Sequence, residues 1–569
     1  MTAVRRWTSM LCLWLIALSV SAQTTPPQTR TTTTTTITTA ARQTQPVTAE
    51  TDRDLTAPNA LRISLDDALR TAIERNLGIS LQTFDVQMAA ESLRAQYGTY
   101  DWFAGSTVSR AKVKGIDARG ETVTSQSNRA DIGVSQNLPA GGNYSVFFNN
   151  RRQTGGSFSP TLGLDATQPL LRNFGIDVNR RNIFIARNTL GINRELFRLQ
   201  LMDTAVTVEQ AYWDLVYARR NVEVAKEAVF LARDQARITQ IRIDVGAAAP
   251  LDILQPRVQT ATLESQLISA VALVRSAEDR LRAVMNLAQT DWNRPIVTTT
   301  PANYTAMPVN VDQAVARAIA ERPELREAML TTATRQVTYM YARNQARPQL
   351  DLNINYGAGT ARTVSGFDPL GNPIFTTPTY SQGLRQISNL EFPAWTVGFT
   401  VGVPLTNIAA RAERRRAELD VAASRVQQQQ TEQTITTAVR TAARDVNTAA
   451  LQITATRTAR EAAEQNVEAE RRRYENGMAT NFEVLQIQQQ LNSARIAELQ
   501  TLVGYNEAVA NYHRQVGDIL DVNGIAVNEP QVSPEPRVFS LLDRVPWLNF
   551  DRNFEKLQQQ TLSQPVPLP

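Results

Sequence analysis

Few residues of this 569-residue chain could carry out covalent chemistry. It has one histidine, His513, and one cysteine, Cys12. A single copy of each excludes a His/Cys metal cluster. No glycine-rich phosphate loop follows a strand pattern, and the Asp and Glu residues are scattered along solvated faces. His513 falls near the end of the last helical pattern and reads as a packed or surface residue. No catalytic residue, metal or cofactor is assigned, so energy for any work must come from a partner. The most distinctive polar residues lie instead in two short segments that resemble each other.

Residues 243 to 255, Ile-Asp-Val-Gly-Ala-Ala-Ala-Pro-Leu-Asp-Ile-Leu-Gln, align with 474 to 486, Tyr-Glu-Asn-Gly-Met-Ala-Thr-Asn-Phe-Glu-Val-Leu-Gln. Gly246 falls on Gly477, Ala247 on Met478, Asp252 on Glu483, Leu254 on Leu485 and Gln255 on Gln486, all without a gap. That is an internal repeat. Each glycine suits the left-handed end of a helix, and Pro250 suits the first turn of a return helix. The alignment holds far back before each bend, where Val208, Ala211, Leu215, Ala218 and Val222 lie over Val439, Ala442, Val446, Ala449 and Ile453. Leu201, Val208, Leu215, Val222 and Val229 recur every seven residues, interleaved with Ala211, Ala218, Ala225 and Ala232. The spacing predicts long coiled-coil helices whose alanine seam lets backbones approach closely.

Only 42% of the chain is hydrophobic, which fits a long helical object better than a set of globular domains. The net charge of +5 is spread as alternating signs, as in Arg411, Glu413, Arg414, Arg415, Arg416 and Glu418. These read as solvated helix faces, and no nucleic-acid partner is expected. Arg5 and Arg6 precede an apolar run from Met10 to Val20 that ends Val20-Ser21-Ala22. Residues 1–22 read as a secretory signal peptide, because a run of roughly 11 apolar residues is too short to cross a bilayer core of about 30 Å. Cys12 lies inside it with no small residue before it, so a lipid-anchored start is not expected. Residues 23–60, with the run Thr31 to Thr36, read as a disordered leader.

A first copy is expected over 61–290, a second over 309–520, and a Pro-rich tail over 521–569. The first opens with Ser64 and Asp67 as a capping box, and Ala68, Ala72 and Ile73 lie over Ala314, Ala318 and Ile319 of the second. Between the opening and long helices, a period of two appears. Leu350, Leu352, Ile354 and Tyr356 alternate with Asp351, Asn353 and Asn355; Trp395, Val397, Phe399, Val401 and Val403 alternate with Thr396, Gly398, Thr400 and Gly402. In the first copy Ile132 and Val134, then Tyr144, Val146 and Phe148, then Leu162 and Leu164 alternate likewise. Apolar on one side and polar or tiny on the other, at this length, is the pattern of transmembrane β-strands. The descending strands end in Pro169-Leu170 and Pro404-Leu405, and Leu138-Pro139-Ala140-Gly141-Gly142-Asn143 predicts an extra hairpin turn in the first copy. Whether that hairpin enlarges a barrel or lies on its rim is left open by the sequence.

The duplicated order, the two tips and Ala211-Tyr212-Trp213-Asp214-Leu215 resemble the TolC-type outer-membrane factor family, the exit ducts of efflux pumps and type I secretion systems. The resemblance runs from about residue 61 to 520. It implies an α+β membrane protein: a transmembrane β-barrel shared by a homotrimer, four strands per subunit, continued by a periplasmic α-helical coiled-coil barrel. It also implies outer-membrane lipid around the barrel, and a periplasmic adaptor protein and an inner-membrane transporter as partners. Small-molecule efflux is the expected function, with type I protein secretion as the alternative. A periplasmic coiled-coil scaffold without a pore is the alternative from another class, and it leaves the strands unexplained.

Carried over by position, Gly246, Ala247, Gly477 and Met478 form the adaptor-contacting tips. The resemblance implies a pore constriction at Asp252, Tyr474, Glu483 and Gln486, with a hydrogen bond between Asp252 and Tyr474. A second family latch, an arginine, falls here on Ala479, leaving Arg471, Arg472 or Arg473 as substitutes. Two ring-forming aspartates fall on Glu483 and Gln486, so one charge per subunit remains.

Overall fold

The structure, a computed structural model, describes residues 59–116, 120–153 and 158–536. The expected signal peptide, nearly all of the leader, and the tail beyond 536 with Trp547, Leu548 and Phe550 lie outside the described residues. Strand β1 (Leu61–Ile63) leads to α1 (Leu65–Arg75), where the Ser64 side chain accepts from the Asp67 N–H and Asp67 reaches back, closing the capping box. Helix α2 (Leu77–Tyr97) climbs to four strands: β2 (Phe103–Ile116), β3 (Thr122–Asn137), β4 (Asn143–Gln153) and β5 (Phe158–Pro169). Helix α3 (Arg181–Asp244) descends to the first tip and α4 (Leu254–Met285) returns.

After β6 (Ile296–Thr298), parallel to β1, the order recurs. It runs α5 (Val311–Glu321), α6 (Pro323–Gln345), β7 (Gln349–Ala358), a loop with β8 (Thr363–Phe367), β9 (Pro373–Thr376) and α7 (Tyr380–Ser388), then β10 (Pro393–Gly402). Helix α8 (Ile408–Glu475) descends to the second tip and α9 (Asn481–Val516) returns.

The heptad residues explain the helix packing. Leu201, Val208, Leu215, Val222 and Val229 are buried, as are Ala211, Ala218 and Ala232, and Val439, Ala442, Val446 and Ile453 repeat this in α8. Side by side, α3 packs on α2, α4, α6 and α9, whereas α8 packs on α5, α6 and α9. At 1.5 Å per residue the 64-residue α3 is about 96 Å long, more than a single return helix supplies. Its neighbour is therefore spliced from two pieces. The end of α4 abuts the start of α2, where Asn76 Nδ2 donates to Val284 O at 2.9 Å and Asn286 Nδ2 to Arg75 O at 2.9 Å. In the second copy Arg322 Nη1 donates to Gln515 Oε1 at 2.9 Å, joining α9 to α6.

The long strands form one antiparallel six-stranded sheet in the order β10-β7-β5-β4-β3-β2, a meander in reverse chain order. Among the described residues six strands, rather than the four implied by the resemblance, enter this sheet. The extra pair is β3 and β4, joined by the turn at 138–142. Strand β2 escaped the sequence reading because Arg110, Lys112 and Lys114 occupy alternate positions and break its apolar period. Register aligns one row across all six strands: Trp395, Tyr356, Leu164, Val146, Val134 and Ala104. The neighbouring row, Thr396, Asn355, Asp165, Ser145, Ser135 and Phe103, lies on the other, mostly polar face. Phe147 fills that face where Gly133 and Gly163 leave room.

Residues 524–536 follow α3 back towards the sheet. Ile525, Val527 and Val532 pack on the first copy's core, Glu529 lies 3.5 Å from Arg194, and Glu535 pairs with Arg187 at 2.6 Å.

Candidate functional site

The two tips close by the same backbone geometry. Gly246 and Gly477 hold φ of 77° and 74°, which a side-chain-bearing residue adopts only under strain. The N–H of Ala247 donates to Arg242 O at 2.7 Å, and that of Met478 to Arg473 O at 2.8 Å, so each helix ends in a reversed-turn cap. Ala247 and Met478 are exposed, with Val245, Leu251 and Phe482 beside them.

Asp252 is the third residue of a short 3-10 turn, Pro250–Ile253, that leads into α4, Glu483 is the third residue of α9, and each side chain caps the start of its element. Asp252 Oδ2 accepts from the Ala249 N–H at 3.0 Å; Glu483 Oε2 accepts from the Thr480 N–H at 2.7 Å and the Thr480 hydroxyl at 3.0 Å. The Thr480 backbone and hydroxyl donors hold the Glu483 carboxyl below the usual carboxylate range, so it is ionised at neutral pH. The sequence carried this signal as Thr480-Asn481-Phe482-Glu483, the S/T-x-x-E pattern of a capping box. Gln486 is exposed one turn further on.

Among the described residues of one chain, Asp252 and Tyr474 share no hydrogen bond. Tyr474 is buried, only 7% exposed, under a residue the sequence reading passed over. The Arg242 guanidinium lies 4.0 Å from the centre of the Tyr474 ring, and its Nη2 donates to Tyr474 O at 3.0 Å. Arg242 is on α3 and Tyr474 on α8, so this contact ties the first hairpin to the second. The three arginines offered as substitutes for the missing latch are engaged elsewhere. Arg471 meets Glu475, Arg472 meets Glu468 and Arg473 meets Glu470, all within α8. Further up, Gln235 Nε2 donates to Asn481 Oδ1 at 2.6 Å, and Arg495 bridges Glu227 at 2.8 Å and Glu464 at 3.2 Å. His513 is likewise structural, its Nδ1 lying 2.9 Å from Asp518 Oδ1.

Tandem copies of short helix, strands, long helix, glycine tip and return helix, under a sheet with an apolar row across its strands, match the class of outer-membrane channels built from helical hairpins. The model of the outer membrane efflux protein family matches residues 120–287 and 314–514, more than half of the chain, and the protein belongs to that family. It is an outer-membrane protein whose helices extend into the periplasm. It is 23% identical over 373 residues to the outer membrane efflux protein BepC of Brucella suis biovar 1 (strain 1330), covering 65% of this chain and 74% of that one. Its fold is similar to that of the outer-membrane channel OprN, with a TM-score of 0.59 and 16% identity over 80% of this chain and 89% of that one. The Campylobacter jejuni CmeC outer membrane channel gives a TM-score of 0.58 at 14% identity, over 87% of this chain and 89% of that one. VceC of Vibrio cholerae gives 0.58 at 15% identity, over 80% and 96%. No described helix is long and apolar enough to cross a membrane.

Proposed function

We propose that this protein is the outer-membrane exit duct of a tripartite efflux pump, a homotrimer that passes small molecules received from an inner-membrane transporter through a periplasmic adaptor. The observation that carries this reading is the row from Trp395 to Ala104, apolar on every strand of a sheet that stands over two long hairpins with matching tips. Such a band suits lipid, with Arg110, Lys112 and Lys114 of β2 further up the same face marking where it stops, and the opposite face, with Asp165, Asn353, Asn355 and Thr400, suits a wet lumen. Exposed Val245, Leu251, Met478 and Phe482 supply apolar contact for an adaptor at the tips. The constriction is assigned to the same end, to Asp252, Tyr474, Glu483 and Gln486 of three subunits. Deleting the gene and measuring both drug accumulation and the secreted proteome tests the reading. Raised accumulation is expected; unchanged accumulation with lost secreted protein would replace small-molecule efflux with protein secretion.

A further inference from the structure

Among its described residues each chain leaves two unpaired flanks, and both carry apolar side chains. On one flank stand β2, α2 and α4; on the other stand β10 and α8. Among the described residues, the outer edges of β2 and β10 have no partner strand. Below β2, α2 exposes Leu77, Leu81, Phe84 and Met88, spaced as one stripe of a coiled coil, at 64%, 66%, 58% and 59%. Below β10, α8 exposes Ile408, Leu419 and Val426. An open strand edge does not survive in hydrocarbon, so both edges must find partners.

We propose that three copies close head to tail, the β10 and α8 flank of one on the β2 and α2 flank of the next, into a single wall of eighteen strands. This rests on the outer-membrane duct reading and fixes its barrel. The inserted β3 and β4 belong to the wall rather than to its rim, for two reasons. Their residues Val134 and Val146 continue the apolar row without a break, with Ile132 and Phe148 beside them. Their turn is also seated at the base of the sheet: the Gly175 N–H donates to Ala140 O at 3.2 Å, Gln136 Nε2 to Tyr100 O at 2.8 Å and Asn137 Nδ2 to Thr99 O at 3.1 Å. Gly141 fits there at φ 98° because an added Cβ would collide with Asn173 O.

Eighteen strands at about 4.8 Å spacing and roughly 40° tilt give a wall about 36 Å across, against about 24 Å for twelve. Four helical positions per chain make a ring of twelve, and at about 10 Å spacing that ring is about 38 Å across. The wider wall continues the helical ring without a step.

Aligning the lower ends of β10 and β2 and matching their faces places Phe103 beside Gly402 and Ser109 beside Thr396 of the adjoining copy. The mature chain lacks cysteine if cleavage follows Ala22, since Cys12 is the only one, so engineered pairs can be read cleanly. In full-length protein in outer membranes, Ser109→Cys with Thr396→Cys, or pairs shifted by two residues, is expected to give covalent oligomers that end at three chains. Thr107→Cys with Asp165→Cys is expected to give no internal crosslink, because two strands stand between β2 and β5. The reverse pattern, an internal β2 to β5 crosslink and none between chains, would expel β3 and β4 from the wall and overturn the proposal. Native mass separates the two levels: a trimer with the reverse pattern leaves the duct and removes the eighteen strands, whereas a dimer or monomer removes both.

Discussion

Arg242 is the residue on which the tips' mechanics turn. Its contact with Tyr474 uses the ring face and the backbone carbonyl, not the phenol hydroxyl. Tyr474→Phe should therefore leave the hairpins tied, while Arg242→Ala should free them. A hydrogen bond from a charged donor contributes about 1.5–3 kcal/mol when well formed, and an exposed cation over a ring about 0.5–1 kcal/mol. Repeated in the three subunits of the proposed trimer, its loss should raise single-channel conductance in planar bilayers several-fold. Equal effects of the two substitutions would return the latch to the phenol and Asp252. A second residue-scale expectation concerns pH. Burial, then the nearby Asp214, pushes the Glu507 carboxyl up to about 7, with Arg280 opposing; Arg280 itself bridges Asp214 at 2.6 Å. The folded state thus holds a proton that the unfolded state has lost above its ordinary value near 4.5. This contribution to stability is full below that value and disappears as pH rises through about 7. Glu507→Gln should raise the melting temperature at about pH 8 and flatten its decline between about pH 5 and 8; an unchanged slope would place the pH dependence elsewhere.

At the scale of elements, much was legible because the signals are local. The seven-residue period of α3 and α8, the tips and the Ser64 box each depend on neighbours along one helix, and each can be read from a single segment. The sheet depends on pairing between distant segments, so the sequence showed the alternation of β3, β4, β5, β7 and β10 but not their order. Strand β2 was hidden by its own charges, and the splice of α4 onto α2 has no local signature beyond two asparagines. Asn76 does most at that splice. Its Oδ1 accepts from the Gly78 N–H at 2.8 Å and its Nδ2 donates to Val284 O. Asn76→Ala should cost about 1–2 kcal/mol, the usual range for a lost N-cap, and should lower the melting temperature without altering conductance. Ala218 sets the opposite limit. It is fully buried in the α3 seam, and Ala218→Leu should cost about 1–3 kcal/mol by overpacking, visible as the same kind of shift.

At the scale of the whole molecule, the proposed duct has wall, helical ring and tips conducting in series, so the narrowest part sets the current. A wide wall is then invisible while the tips are closed. In the parent protein, removing β3 and β4 should change conductance little, even though the wall would shrink from eighteen strands to twelve. In the Arg242→Ala background the tips no longer dominate, and the same removal should lower conductance by roughly a half, as the cross-section of the wall falls with the square of its diameter. The double comparison separates two errors that a single measurement would merge. If the removal has no effect even with open tips, the inserted hairpin does not line the conducting wall. If Arg242→Ala leaves conductance unchanged while removal lowers it in the parent, the constriction lies in the wall, and the assignment of the gate to Tyr474, Glu483 and Gln486 fails.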